Sequence, residues 1–105
     1  MAGSHEGQVV VVTGAGNGIG RAIAERFAGA GAHVAVNDID GDRVAKVVSG
    51  ITATGGSAIG TPADVSDSIQ VGAMFDAVVE AWDTVDVLVN NAGMVSPMLH
   101  FFEAD

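Results

Sequence analysis

Cysteine and tyrosine are both missing from this chain of 105 residues. Without cysteine the chain forms no disulfide and offers no thiolate nucleophile or thiolate metal ligand, a composition that fits a cytoplasmic protein. Without tyrosine it has no phenol, so a reaction that needs a phenolic proton carrier cannot run on this chain alone. Both absences narrow the possible chemistry before any motif is considered.

Basic residues are also scarce, with 4 lysines and arginines against 13 aspartates and glutamates and a net charge of −9. Such a chain repels phosphate backbones and anionic lipid surfaces, so we expect no binding to nucleic acid or to membranes. No apolar run approaches the ~20 residues that span a bilayer. The three histidines, His5, His33 and His100, lack the spacing of metal ligands, and we expect no metal site.

Strand-like and helix-like segments alternate along the chain. Short, largely apolar runs predict four strands, at residues 9–12, 33–37, 57–61 and 85–89. Residues 1–7 have neither the basic start nor the apolar stretch of a secretion signal, and we expect them to be a flexible start. Residues 94–105 show no convincing periodicity, and we expect an irregular tail there.

Three predicted helices separate these strands. In the first, which should end near Gly31, the apolar stripe consists of Ile19, Ala22, Ile23, Phe27 and Ala30. In the second, capped by Asp40, the inner face consists of Val44, Val47, Val48 and Ile51. In the third, capped by Ser66, it consists of Val71, Met74, Phe75, Val78, Val79 and Trp82.

Four strands interleaved with three helices predict an α/β fold, a partial doubly wound (Rossmann-type) parallel sheet with helices on both faces. At this length residues 1–105 form one domain at most. Ligands of such sheets bind outside the carboxyl ends of the strands. The unusual loops of this chain fall at those ends, at residues 13–20, 37–40, 62–66 and 90–93.

The first of these loops is rich in glycine and has the sequence Thr-Gly-Ala-Gly-Asn-Gly-Ile-Gly at residues 13–20. Glycine lets the backbone approach a ligand closely, and the first N–H groups of the following helix face any anion bound there. The order strand, glycine loop and helix therefore predicts a phosphate cradle. A Walker loop is excluded, because Gly20 is followed by arginine rather than by lysine and a hydroxyl residue.

The strict pattern Gly-x-Gly-x-x-Gly fails here, since a start at Gly14 puts Ile19 where the third glycine belongs. The spacing Thr-Gly-x-x-x-Gly-x-Gly instead resembles the cofactor loop of the short-chain dehydrogenase/reductase family. Two later motifs in the right order extend the resemblance, Asp64-Val65 and Asn90-Asn91-Ala92-Gly93. The resemblance covers roughly residues 8–95 and corresponds to the amino-terminal part of such proteins. It implies a truncated dinucleotide-binding domain of an oxidoreductase that transfers hydride between NAD and an alcohol or ketone.

Within this family the glycine loop binds the cofactor pyrophosphate. The resemblance implies that Gly14 permits the tight turn, that Gly18 lets the backbone approach the pyrophosphate, and that Gly20 allows close helix packing. It also includes Ile19 and Asn17 in the cofactor-binding set. Asn17 supplies no positive charge where some NADP-using relatives carry one.

Asp38 lies about 20 residues beyond the loop, at the end of the second strand. A carboxylate there accepts hydrogen bonds from the adenosine ribose hydroxyls and repels a 2′-phosphate, so we expect NAD rather than NADP. The alternative is that Asp38 only caps the next helix, a role that Asp40 or Asp42 could fill equally well.

The two remaining motifs have roles that the resemblance alone implies. Asp64 would accept a hydrogen bond from the adenine amino group, and the backbone of Val65 would complete the contact with the ring. A solvated loop aspartate is the alternative for Asp64. Asn90 would tie the sheet together, while Asn91 and Gly93 would lie along the cofactor ribose.

The family's catalytic residues have no counterpart in this sequence. Its members use a serine, a Tyr-x-x-x-Lys pair and a further asparagine, whereas this chain has no tyrosine and its one lysine is Lys46. We therefore assign no catalytic residue and expect the chain to be inactive alone, with weak NAD binding because nothing grips the nicotinamide. A smaller departure is Asp83, where relatives commonly have a helix-ending glycine, so we expect a less sharp turn.

Two other functions stay open at this stage. One is a non-catalytic module that binds NAD or another adenine nucleotide, or that dimerises, and the exposed edge of the fourth strand favours self-association. A methyltransferase-like domain that binds S-adenosylmethionine also has a glycine loop after its first strand and an acid after its second. The motif at residues 90–93 disfavours that alternative.

Overall fold

The computed structural model describes residues 5–91, in which four strands and three helices alternate. The elements are β1 (Val9–Val12), α1 (Gly18–Gly29), β2 (His33–Val36), α2 (Gly41–Ala53), β3 (Ser57–Gly60), α3 (Ser68–Trp82) and β4 (Val87–Val89). The predicted α/β fold is confirmed. The predicted strands were slightly too long, because β2 and β3 stop one residue earlier and β4 starts two residues later than predicted.

All neighbouring strands of the sheet are parallel, and their order is β3-β2-β1-β4. The chain builds outward from β1 to β2 and β3, then returns to place β4 on the other side of β1. The strand order therefore reverses beside β1, and ligands of doubly wound sheets bind at such a reversal. The loops after β1 and β4 flank it.

The valines of β1 point alternately into two separate apolar clusters. Val10 and Val12 pack in the cluster that contains the inner faces of α1 and α2. Val9 and Val11 pack in the cluster that contains Met74 of α3. Because helices cover both faces of the sheet, every β1 side chain is buried, which explains why this strand is apolar without alternation.

The predicted apolar stripe of α1 was wrong in part. Ile19 is 70% exposed, and the buried residues of the helix are Gly20, Ala24 and Ala28. These small residues recur every four positions, so they form one row along the helix and let its axis approach the sheet closely. The predicted inner face of α2 agrees with its buried residues, Val44, Val47 and Ile51.

Aspartates cap both α2 and α3. Asp40 caps α2, as predicted, and its carboxylate accepts from two backbone N–H groups of the first turn at 3.0 and 3.3 Å. The predicted cap of α3, Ser66, was wrong, because the side chain of Asp67 accepts the equivalent bonds at 2.9 and 3.3 Å. Ser66 instead donates to Asp64. In the third helix Val79 was also misassigned to the core, since it is exposed.

The turn after α3 differs from expectation. Asp83 adopts the left-handed conformation with φ of 71°, so the turn after α3 is as sharp as a glycine would make it. Residues 5–7, part of the expected flexible start, form a turn in which His5 and Gly7 donate backbone bonds to residues at the end of α1. The expected tail at 94–105 lies outside the described residues. Within residues 5–91 no helix has the length and hydropathy of a membrane span.

Candidate functional site

A cleft of about 510 Å³ lies at the carboxyl ends of the strands. Because all four strands run in the same direction, the loops that follow them meet at this edge of the sheet. The cleft therefore collects residues that are far apart in the sequence. The predicted site residues in its lining are Gly14, Asn17, Asp38, Asp64, Val65 and Asn91.

Other predicted site residues are not part of that lining. Gly18, Ile19 and Gly20 form the first turn of α1, next to Asn17 at the edge of the cleft. Gly93 lies outside the described residues. The lining also contains residues that were not predicted as site residues, namely Asn37, Ile39, Ala63 and Ser66.

Three glycines give the first loop its shape. Gly14 and Gly18 have φ values of 62° and 60°, a conformation that strongly favours glycine. A methyl group at Gly20 would overlap the carbonyl oxygen of Gly14 and lie 2.6 Å from Nδ2 of Asn91. A side chain at Gly20 is thus excluded mainly by close contacts with the loops that follow β1 and β4.

The amino-terminal end of α1 has no side-chain cap. Asn17 occupies the capping position with extended backbone, and its side chain accepts no bond from the first turn. The first turn of α1 also contains no acidic residue. The positive end of the helix dipole therefore faces the cleft without a carboxylate of its own, an arrangement that favours binding of an anion.

Asp38 is held at the other side of the glycine loop by two backbone bonds. Its Oδ2 accepts from the N–H of Gly16 at 3.0 Å, and its Oδ1 accepts from the N–H of Asp40 at 3.1 Å. The alternative role of Asp38 as a helix cap was wrong, since Asp40 caps α2. Each carboxylate oxygen has further acceptor capacity after these bonds.

Gly16 was not among the predicted site residues. A methyl group at this position would lie 2.7 Å from Oδ2 of Asp38, so only glycine lets the carboxylate approach the loop. The sequence held a signal for it, because Gly16 is the one glycine of the loop that the family spacing does not require. Its partner was not visible, since Asp38 comes 22 residues later.

Asn37 is a second residue that was not among the predicted site residues. It is 1% exposed, and its Nδ2 donates to the carbonyl oxygens of Thr61 and Ala63 at 2.9 and 3.3 Å. Its own carbonyl accepts from the N–H of Ala15 at 2.6 Å. Through its side-chain amide and its backbone carbonyl, this one residue joins the loops after β1, β2 and β3. A polar residue directly after an apolar strand was the available signal.

Thr13 links the loops after β1 and β4. Its Oγ1 donates to Oδ1 of Asn90 at 3.2 Å and accepts from the N–H of Asn91 at 2.9 Å. The side chain of Asn91 donates to the carbonyl oxygen of Gly14 at 3.1 Å. Asn90 ties the sheet together, as predicted, and Asn91 also supports the glycine loop.

Asp64 forms a tight turn with Ser66. Its Oδ1 accepts from both the hydroxyl and the backbone N–H of Ser66, at 2.7 and 2.9 Å. These two bonds favour the ionised form and hold the pKa of Asp64 below its usual value of 3.8. The backbone N–H of Asp64 donates to Oε1 of Gln70 at 2.8 Å. The start of α3 therefore holds Asp64 in the cleft wall.

A second depression of similar volume, about 530 Å³, lies between α1 and the carboxyl-terminal end of α2. Glycines line much of it, and its charged side chains are Arg21 and Glu25, which form an ion pair at 3.0 Å. Volume does not distinguish the two cavities, but the polar groups do. Only the cleft at the carboxyl ends combines a free helix start with oriented carboxylates. Within residues 5–91, acidic and histidine side chains form no cluster of three that could hold a metal.

Comparison with known proteins agrees with this geometry. The model of the short chain dehydrogenase family matches residues 8–105. An uncharacterized oxidoreductase from Methylorubrum extorquens is 49% identical over 90 residues, which cover 85% of this chain and 36% of the relative. The chain thus spans about a third of the length of this relative.

Two solved structures share the fold. A short-chain dehydrogenase/reductase from Burkholderia phymatum in complex with NAD is 42% identical, with a TM-score of 0.78, over 80% of this chain and 30% of that one. A metagenomic short-chain oxidoreductase in complex with NADP is 43% identical, with a TM-score of 0.80, over 85% of this chain and 40% of that one. Because the family model matches residues 8–105, almost the whole length of this chain, the chain belongs to the short-chain dehydrogenase/reductase family.

Proposed function

We propose that this chain binds the adenosine and pyrophosphate parts of NAD, as the nucleotide-binding portion of an oxidoreductase that acts on an alcohol or ketone. The observation that carries the proposal is the uncapped start of α1, which shares one cleft with the oriented carboxylate of Asp38. Similar proteins of known structure hold NAD or NADP, which supports a nicotinamide dinucleotide as the ligand.

The pyrophosphate is proposed to bind at the start of α1. The N–H groups of the first turn, from Gly18, Ile19 and Gly20, face an anion at the positive end of the helix dipole. Gly14 shapes the turn beneath it with its left-handed backbone. Asn17 contributes a neutral amide, which leaves the helix start as the main source of positive potential.

The adenosine ribose is proposed to bind beside Asp38. Two backbone N–H groups already orient the carboxylate, and each oxygen retains capacity to accept a ribose hydroxyl. A 2′-phosphate would bring its negative charge against the same oxygens. The proposal is therefore a preference for NAD over NADP.

The adenine ring is proposed to lie between the loops after β2 and β3. The exposed side chains of Ile39 and Val65 line this part of the cleft, and Asp64 lies beside them. Apolar side chains with one polar acceptor suit a flat aromatic base that carries an amino group. Asn91 and Gly93 are proposed to lie along the cofactor ribose.

We further propose that these 105 residues bind the cofactor without transferring hydride. The chain contains no tyrosine, so it lacks the phenol that the family uses to move a proton. Binding without turnover is also what a non-catalytic module would show. A cytoplasmic location, which the cysteine-free composition favours, remains a prediction.

The binding proposal is tested by titrating isotope-labelled protein with NAD, NADP or S-adenosylmethionine while recording amide chemical shifts. NAD is expected to shift the amides of Gly14, Gly16 and Gly18 at lower concentration than either other ligand does. Shifts of these amides by S-adenosylmethionine alone would contradict the proposal. Adding an alcohol and following nicotinamide absorbance tests the expected lack of turnover.

A variant sharpens this test. Gly16→Ala is expected to displace the Asp38 carboxylate and weaken NAD binding about tenfold, because one oriented charged acceptor is lost. Gly29→Ala is the matched control, since a methyl group at Gly29 meets no atom within 4 Å. Equal NAD affinities of the two variants would contradict the proposed contact between the adenosine ribose and Asp38.

Self-association through the edge of β4 is a separate proposal. Among the described residues this strand pairs with β1 and with no other strand, so its outer edge has unpaired backbone groups. Sedimentation is expected to show a dimer or larger species whose population rises with concentration. A monomer at all concentrations would contradict it.

A further inference from the structure

An asparagine followed by a glycine, Asn17-Gly18, stands at the entrance to α1. Both residues are exposed, and the side chain of Asn17 has no hydrogen-bond partner within residues 5–91. The side chains of the chain's other three asparagines are all hydrogen-bonded, Asn37 to the loop after β3 and Asn90 and Asn91 to the loop after β1. The amide of Asn17 is therefore the one among these four that is free to turn toward the backbone.

The backbone nitrogen of Gly18 is equally accessible. Gly18 is the first residue of α1, so no preceding turn of the helix supplies a carbonyl for its N–H, and within residues 5–91 this N–H meets no backbone acceptor. A methyl group at Gly18 would meet no atom within 4 Å, so the space around this residue is open. The positive end of the helix dipole also stabilises the negative charge that develops on this nitrogen when it loses its proton.

The start of α2 provides a contrast within the same molecule. There Asp40 and Gly41 occupy the positions that Asn17 and Gly18 occupy in α1. The carboxylate of Asp40, however, accepts from two backbone N–H groups of the first turn at 3.0 and 3.3 Å, and these bonds hold its side chain on the helix. An ionised carboxylate is also a poor electrophile. Of the two pairs, the structure leaves the side chain of Asn17 unrestrained.

We infer that Asn17 is a site of spontaneous deamidation, and that its conversion to a carboxylate closes the anion site at the start of α1. The nitrogen of Gly18 gives its proton to water and attacks Cγ of Asn17, which forms a C–N bond and closes a succinimide ring. The side-chain nitrogen takes a proton from water and leaves as ammonia. Water then opens the ring. Opening at Cγ gives aspartate, opening at the main-chain carbonyl carbon gives isoaspartate, and no oxidant or reductant takes part.

The consequence for binding rests on the proposed NAD site. Both products place a negative charge where the pyrophosphate is proposed to bind, so each competes with the ligand for the positive end of α1. Isoaspartate also adds a methylene group to the main chain and so changes the path of the loop into the helix. Aspartate is a good helix cap, so α1 keeps its start while the anion site is lost.

The modification is tested by storing the protein in mildly alkaline buffer and locating the change by peptide mass spectrometry. Deamidation is expected at Asn17 well before it occurs at Asn37, Asn90 or Asn91, with aspartate and isoaspartate as the products. Asp40 is expected to remain unchanged, because its carboxylate is held. If Asn17 reacts no faster than the other three asparagines, the inference is overturned.

The effect on binding is measured on the deamidated fraction, which anion exchange separates from unmodified protein by its additional negative charge. NAD affinity of this fraction is expected to be about tenfold weaker than that of fresh protein. Asn17→Gln is the matched control, because its longer side chain does not readily close the ring. Its NAD affinity is expected to be the same before and after storage, and an equal loss in this variant would assign the effect to other damage and overturn the inference.

The outcomes separate this inference from the proposed function. If fresh protein binds NAD and the deamidated fraction binds it equally well, the closing of the anion site is overturned and the proposed function stands. If fresh protein binds no NAD, the proposed function fails and the predicted effect on binding fails with it. The mass measurement needs no ligand, so it decides in either case whether Asn17 is modified.

Discussion

The three helices within residues 5–91 begin in two different ways. The starts of α2 and α3 are each capped by an aspartate whose carboxylate accepts two backbone bonds. The start of α1 has an asparagine that caps nothing, and its first turn contains no acid. The chain has 13 acidic residues, yet among these three helices the start without a carboxylate is the one that follows the glycine loop.

This difference separates stabilisation from binding. A side-chain cap contributes about 1 kcal/mol to the stability of a helix and satisfies N–H groups that would otherwise seek water. α1 lacks that contribution, and its N–H groups remain available for a phosphate. In α2 and α3 an aspartate carboxylate accepts the hydrogen bonds of the first turn. In α1 the ligand's phosphate is proposed to take that place.

The largest expected effect breaks the α1 side of this comparison. Gly20→Ala places a methyl group on the carbonyl oxygen of Gly14 and near Asn91, so the free energy of unfolding is expected to fall by about 3 kcal/mol. Gly50→Ala in α2 meets no atom within 4 Å and is expected to raise it by about 0.5–1 kcal/mol. Urea unfolding measures both. Similar values for the two variants would show that the loops yield to the methyl group.

The next effect tests whether the caps differ as described. Asp67→Ala is expected to lower the free energy of unfolding by about 1 kcal/mol, because two bonds to the first turn of α3 are lost. Asn17→Ala is expected to change it by less than about 0.5 kcal/mol, since that side chain makes no capping bond. Thermal unfolding of the two variants provides the measurement. An equal loss would mean that Asn17 does cap α1 in solution.

A smaller change in stability converts one kind of helix start into the other. Asn17→Asp introduces the carboxylate that α1 lacks and is expected to stabilise the ligand-free protein by about 0.5 kcal/mol. The same charge competes with the pyrophosphate, so NAD binding is expected to weaken about tenfold. Opposite signs for stability and affinity are the diagnostic result. Tighter NAD binding would contradict an anion site at this helix.

The smallest expected effect concerns the acid that precedes α3 without capping it. The pKa of Asp64 is lowered by Ser66, so this turn contributes stability above pH 3.8 and loses it as the pH falls through the lowered pKa. Ser66→Ala is expected to move the pKa of Asp64 back toward 3.8. Carboxyl carbon NMR titration of both proteins measures the shift. An unchanged value would assign the effect to another group.

Much of this architecture could be predicted because its signals are local. Each of these signals lies within one short stretch of the chain: the valine run of β1, the apolar period of α2, and the spacing of Gly14, Gly18 and Gly20. The wrong prediction of the α3 cap has an equally definite cause. Ser66 and Asp67 are both good caps by residue type, and only the path of the backbone decides which one faces the helix start.

The amino-acid sequence alone was enough to predict the order of strands and helices, the burial of β1 and the glycine loop at the start of α1. Each of these features depends on residues that are neighbours in the chain. The contacts of Asp38 with Gly16 and of Asn37 with Thr61 and Ala63 join segments more than 20 residues apart. They exist because parallel pairing brings the carboxyl ends of β1, β2 and β3 to one edge. No periodicity along the chain encodes that meeting, since it depends on which strands become neighbours when the sheet forms.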